Sequence, residues 1–85
     1  MWIEQVKGLP AGYSEGWFAG KRFRVARSDF SAGRSIKVLA EELGGTNFIS
    51  FNAYLLKGQW VLKPCEMPAE KVLAFLAGFE LESSA

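Results

Sequence analysis

The chain has 85 residues, 49% of them hydrophobic, 14% aromatic and 22% charged, and ten basic residues against nine acidic ones leave a formal charge of +1. That balance excludes intrinsic disorder and a partner held by bulk charge alone, and the length allows one small domain that buries about 60–65% of its unfolded surface. With no histidine and a single cysteine, Cys65, an intrachain disulfide, Ser-His or Cys-His nucleophile pairs and a structural zinc site within one chain are excluded, so neither a metal, a cofactor nor an enzyme is expected.

Residues 1–20 set Trp2, Tyr13, Trp17 and Phe18 among Gly8, Pro10, Gly12, Gly16 and Gly20, with no sustained period. They read as an irregular arm, with a short strand at 2–6, that packs its aromatics on the domain. The first seven residues lack a basic segment followed by an apolar core. No apolar run approaches the ~20 residues of a membrane helix, so a cytoplasmic protein without a membrane partner is expected.

From Lys21 to Ser28 the chain alternates, Phe23 and Val25 on one side, Arg22, Arg24 and Ala26 on the other, which is a strand pattern. Asp29–Gly33 has loop chemistry, and a loop of about four residues would set Val25 opposite Val38, Phe23 opposite Ala40 and Arg22 opposite Glu41. The stretch 35–43 fits helical spacing through Ile36, Leu39, Ala40 and Leu43, with Gly44 as a C-cap. A strand is preferred there because it explains its neighbours as well. Taking Gly44-Gly45 as a turn pairs Ala40 with Ile49, Val38 with Phe51 and Ile36 with Ala53. Taking Lys57-Gly58 as the next turn pairs Leu55 with Trp60 and Ala53 with Leu62. Both turns put one apolar set on one face, and a slip of one residue would destroy the match.

Pro64 cannot donate to a sheet ladder, so the strand at 60–63 ends there or lies at an edge. Pro68 suits the opening of a helix whose stripe is Val72, Phe75, Leu76 and Phe79, widened by Leu73. Glu66 and Glu70 lie near its positive end, and Glu70, Lys71, Ala74 and Gly78 look outward. Residues 82–85 read as a frayed tail. The expected fold is α+β: a single ββββα domain over 21–81, a four-stranded antiparallel meander with a C-terminal helix on one face. In topology this resembles the single-stranded-DNA-binding coactivator and Whirly/Pur-type modules and, less closely, the three-strands-plus-helix DNA-binding domains of integrases.

One helix cannot cover the apolar face of such a sheet. Either Trp2, Trp17 and Phe18 dock over it or a homodimer forms through it. The opposite face carries Arg22, Arg24, Lys37, Asn52 and Lys63, interleaved with Phe48 and Tyr54. Cations that track phosphates beside rings on which bases stack suit single-stranded nucleic acid. The same pattern also serves as the plain solvated face of an antiparallel sheet. An adaptor that binds a protein partner through the arm or the helix is the other functional expectation. Cys65 stands near the helix start, where a thiol can become reactive, but Glu66 opposes the thiolate and no base is at hand, so a packing role is expected.

Overall fold

The computed structural model describes residues 1–82. In chain order it comprises helix α1 (Trp2–Lys7), strands β1 (Gly12–Phe18), β2 (Lys21–Phe30), β3 (Ser35–Glu42), β4 (Phe48–Leu56) and β5 (Gln59–Pro64), helix α2 (Ala69–Gly78) and a short strand β6 (Glu80–Leu81). The strands form one antiparallel sheet in the order β5-β4-β3-β2-β1-β6. Strands β1 to β5 are a meander. After β5, α2 crosses the sheet and delivers β6 to the far edge beside β1. The α+β class is as expected, but the sheet has six strands where four were read.

The two added strands come from the ends of the chain. Residues 2–6 form a helix and not a strand, since Ile3 and Val6 lie one turn apart and both are buried. β1 escapes a pattern search because its alternation is inverted. The inward positions Ser14 and Gly16 are small, while Tyr13 and Trp17 face outward and are exposed. Gly16 is small of necessity: a Cβ there would collide with the Glu80 carbonyl and the Phe79 ring. The β1–β2 turn, Ala19-Gly20, takes positive φ at both residues (51° and 76°), the two-residue geometry that matches strand twist.

The expected registers of β3 with β4 and of β4 with β5 are those observed. Lys57-Gly58 is a two-residue turn with φ of 50° and 76°. The β3–β4 connection is wider, spanning 43–47 with only Gly44 at positive φ. Residues 35–42 are strand, not helix. The β2–β3 register differs by two residues: Val25 pairs with Ala40, Arg27 with Val38 and Arg24, not Arg22, with Glu41. A shift of two keeps every side chain on its face. Asp29 and Phe30, read as loop, stay in β2 opposite Ile36 and Ser35, and the Asp29 carboxylate accepts two 3.0 Å hydrogen bonds from the Arg27 guanidinium. Alternate ladder pairs point outward, and Pro64 falls at such a position, since Cys65 N donates to Ser50 O at 2.9 Å. Pro64 therefore ends an edge strand at no hydrogen-bonding cost.

The core lies between the sheet and both helices. Val38, Ile49, Phe51 and Phe23 are buried beneath Phe75, Leu76 and Val72 of α2 and Ile3 and Val6 of α1, while Leu62 and Phe79 are half-buried. Phe75 is central, with Phe18, Phe23 and Phe79 ring centroids at 5.1, 5.4 and 5.0 Å. Its truncation would cost about 3–5 kcal/mol. Trp2 and Phe18 join this core as expected of the arm; Trp17 does not, because it sits on the opposite face. Gly78 is exposed but abuts Phe18, and Lys71 is half-buried, so these two positions are less open than the helical stripe implies.

Arg27 occupies an inward-facing position of β2, with its side chain only 13% exposed. The last carbonyls of a helix lack partners within it. Arg27 Nη1 donates to Leu9 O at 2.6 Å, Lys7 O at 3.1 Å and Val6 O at 3.4 Å. It thus ties the end of the short helix α1 to the sheet, with Asp29 balancing the charge.

Candidate functional site

Both helices pack on one face, so the other face of the sheet is open. Its side chains fall into rows fixed by the strand registers. At one end stand Trp17 and Arg22, then Glu15, Arg24, Glu41 and Phe48. A neutral row of Tyr13, Ala26, Leu39 and Ser50 follows. Beyond it come Ser28, Lys37, Asn52 and Lys63, and last Phe30, Ser35, Tyr54 and Val61. All seven expected residues, Arg22, Arg24, Lys37, Phe48, Asn52, Tyr54 and Lys63, therefore lie on this face, but they divide between two ends.

At the first end the cations are committed. Arg22 donates to Glu15 Oε1 through Nε at 3.0 Å and Nη2 at 2.8 Å, and to Glu82 Oε2 at 2.6 Å. The hydrogen bond to Glu15 is the main reason that the Arg22 guanidinium holds its proton above the ordinary value; desolvation opposes it, and the Glu82 and Glu15 charges add to it. Arg24 lies 4.0 Å from the other oxygen of Glu15 and pairs across strands with Glu41. The two guanidiniums sit over the Trp17 and Tyr13 rings at 5.7 and 5.9 Å. Phe48 is drawn the other way, its ring 5.5 Å from Lys71 Nζ of α2. Glu82, read as tail, is thus part of the fold at this end; residues 83–85 lie outside those described.

At the second end, no ion pair reaches Lys37 or Lys63 among the described residues, and both are exposed. The reason is already in the sequence: residues 30–40 and 46–65 contain Arg34, Lys37, Lys57 and Lys63 and no carboxylate. Asn52 lies between the two lysines, half-buried, its Nδ2 3.6 Å from Cys65 Sγ. Cys65 is half-buried on the same face. The next row offers the half-buried Tyr54 and the 53% exposed Phe30 ring.

The two cationic rows are four residues apart along a strand, about 14 Å. That exceeds the ~8 Å Debye length at physiological salt, so the acidic residues of the first end do little to neutralise the second. Sequence reasoning missed Phe30 and Arg34 because both fell in or beside a segment read as loop. It missed the neutralising role of Glu15 because β1 was not seen. The carboxylate-free stretches were the signal that could have found this end. No protein-family model, no curated protein and no solved structure matches the chain.

Proposed function

We propose that this protein is a small binding module, not an enzyme, that takes single-stranded nucleic acid on the open sheet face, at the end formed by Lys37, Asn52, Lys63, Tyr54 and Phe30. The observation that carries this reading is a pair of exposed lysines without an ion-pair partner among the described residues, beside the rings of Tyr54 and Phe30, with no carboxylate in residues 30–40 and 46–65. Lysines supply the phosphate term, and each exposed ring offers a stacking surface worth about 1–3 kcal/mol per base without sequence preference. The rings beside the lysines favour a single strand, whose unstacked bases are free to stack on them. Arg22, Arg24 and Phe48 are left out of this assignment because their partners lie within the fold.

Titration of a labelled oligonucleotide of mixed sequence tests the reading. Binding is expected at low salt, with log affinity falling by about 0.7 per phosphate contact for each tenfold rise in salt. Amide signals of Lys37, Asn52, Tyr54 and Lys63 should move together, and those of Arg22 and Glu15 should not. Absence of binding at low salt refutes it.

The first end favours a second reading, contact with a protein. Tyr13, Trp17, Arg22 and Arg24 are the residue types that dominate interface energetics, and the two guanidiniums are already paired with Glu15 and Glu82. This reading differs from the adaptor expected through the arm or the helix in using the sheet face to which the arm contributes β1. The two readings use different residues, so a salt-insensitive partner lost on Trp17→Ala would support the second without touching the first.

A further inference from the structure

We propose that a depression beyond the lysine row, beside Ser35 and Tyr54, is a subsite for a terminal phosphomonoester, so that the end of a strand docks there; this rests on the single-strand reading above. The depression has a volume of about 280 Å³ and is lined by Ser31, Arg34, Ser35, Tyr54, Leu55 and Leu56. Its size is at the lower limit of small-ligand pockets, room for one nucleotide and not for a run of them. It lies where β3 and β4 run out, so a strand that follows the lysines toward Tyr54 reaches the limit of the platform here.

The lining matches the two parts of a terminal nucleotide. Tyr54 and Leu56, the latter 53% exposed, provide an apolar wall for a base. Arg34 provides the cation. Its Nε donates to Ser31 O at 3.1 Å, which fixes one edge of the guanidinium and leaves its terminal nitrogens without a partner among the described residues. A planar guanidinium engages phosphate oxygens in pairs, and a terminal phosphomonoester carries about −1.5 to −2 charges where an internal diester carries one. The hydroxyls of Ser31 and Ser35 lie on the same lining and can donate to further phosphate oxygens.

The turn that holds Arg34 is unusual in its backbone. Ser31, Ala32 and Gly33 take φ of 55°, 56° and 83° in succession, and only the last is a glycine. Left-handed conformation is unfavourable for L residues and persists where surrounding structure enforces it, often beside ligands. Here it is closed by the Arg34 N–H donating to Ser31 O at 3.1 Å, and it sets Arg34 at the lip of the depression. Lys57, in the adjoining β4–β5 turn, adds positive charge next to Leu56, and no carboxylate occurs in either stretch that forms this end.

The test compares fluorescence anisotropy of one hexanucleotide carrying a 5′ phosphate, a 3′ phosphate or hydroxyls at both ends, with the full chain and with Arg34→Gln, Arg34→Lys and the double variant Lys37→Gln/Lys63→Gln. One phosphorylated end should bind about tenfold tighter than the hydroxyl form. Arg34→Gln should erase that gain, Arg34→Lys should retain part of it, and the double lysine variant should weaken all three probes alike. Equal affinity for the three probes, or a gain that survives Arg34→Gln, overturns the terminal site and leaves the single-strand reading standing. Failure of every probe to bind at low salt overturns both. A free nucleoside monophosphate that displaces the probe at equal concentration assigns the depression to free nucleotides and overturns docking of a strand end.

Discussion

The two ends of the open sheet face each carry two cations and aromatic rings, and they differ in what those cations meet. At the Arg22 end, two arginines meet Glu15 and Glu82, and Arg24 lies opposite Glu41 across the strands. At the Lys37 end, two lysines meet none among the described residues. A tally of basic residues on the face scores the ends alike. What separates them is the partner strand: β1 lies beside β2 and brings Glu15, whereas β3 to β5 bring no acid to their outer end. A cation on a strand becomes a binding group only where the neighbouring strands leave it unpaired, and topology decides that, not the residue itself.

The largest effect expected from this comparison is the loss of binding on Lys37→Glu/Lys63→Glu. Two charged hydrogen bonds at about 1.5–3 kcal/mol each correspond to about a hundredfold loss or more, measured by anisotropy at low salt. Arg22→Glu/Arg24→Glu should change the same affinity by far less, and an equal loss from both pairs would break the distinction. The next effect concerns stability. Arg27→Met should leave the end of α1 with unsatisfied carbonyls and cost about 2–3 kcal/mol in denaturant unfolding, while oligonucleotide affinity stays unchanged where the protein is folded, because α1 covers the far face. Loss of affinity in step with stability would show that the open face depends on the helix layer. Third, Tyr54→Ala should weaken binding by about 1–2 kcal/mol through lost stacking, and Tyr13→Ala should not, although Tyr13 is the more exposed ring at 78%. Exposure alone would rank them the other way.

How much of this was legible depended on whether a strand's pattern was written in its own residues. β4 alternates Ile49, Phe51 and Ala53 against Ser50, Asn52 and Tyr54, and its turns fix both neighbours, so its registers could be read directly. β1 could not be read, since its inward positions include Ser14 and Gly16, and the size of Gly16 is set by Phe79 and Glu80, more than 60 residues away. α1 is six residues long, too short for its period to declare itself, and it is held by Arg27, whose position on the apolar face of β2 looks like a flaw in the alternation. The seven candidate residues do share one face of the sheet, but the division among them follows from Glu15 and Glu82, which belong to the two segments read as arm and tail.

The smallest effect is the most specific to the comparison. Glu15→Gln removes the carboxylate that Arg22 and Arg24 share, without removing either cation. If Arg22 and Arg24 are idle because they are paired, this change should raise the affinity of a long strand by a few-fold, about threefold, as expected for a solvent-screened pair. It should leave a trinucleotide unaffected, because the released cations lie about 14 Å from the lysine row. Its salt dependence should steepen by up to one further phosphate contact, about 0.7 in slope, for the long strand alone. A gain for the trinucleotide as well would mean that the two ends act as one field across the neutral row of Tyr13, Ala26, Leu39 and Ser50. No gain at either length would mean that Glu82 and Glu41 suffice to hold the arginines, and that the Arg22 end is built for its own internal contacts.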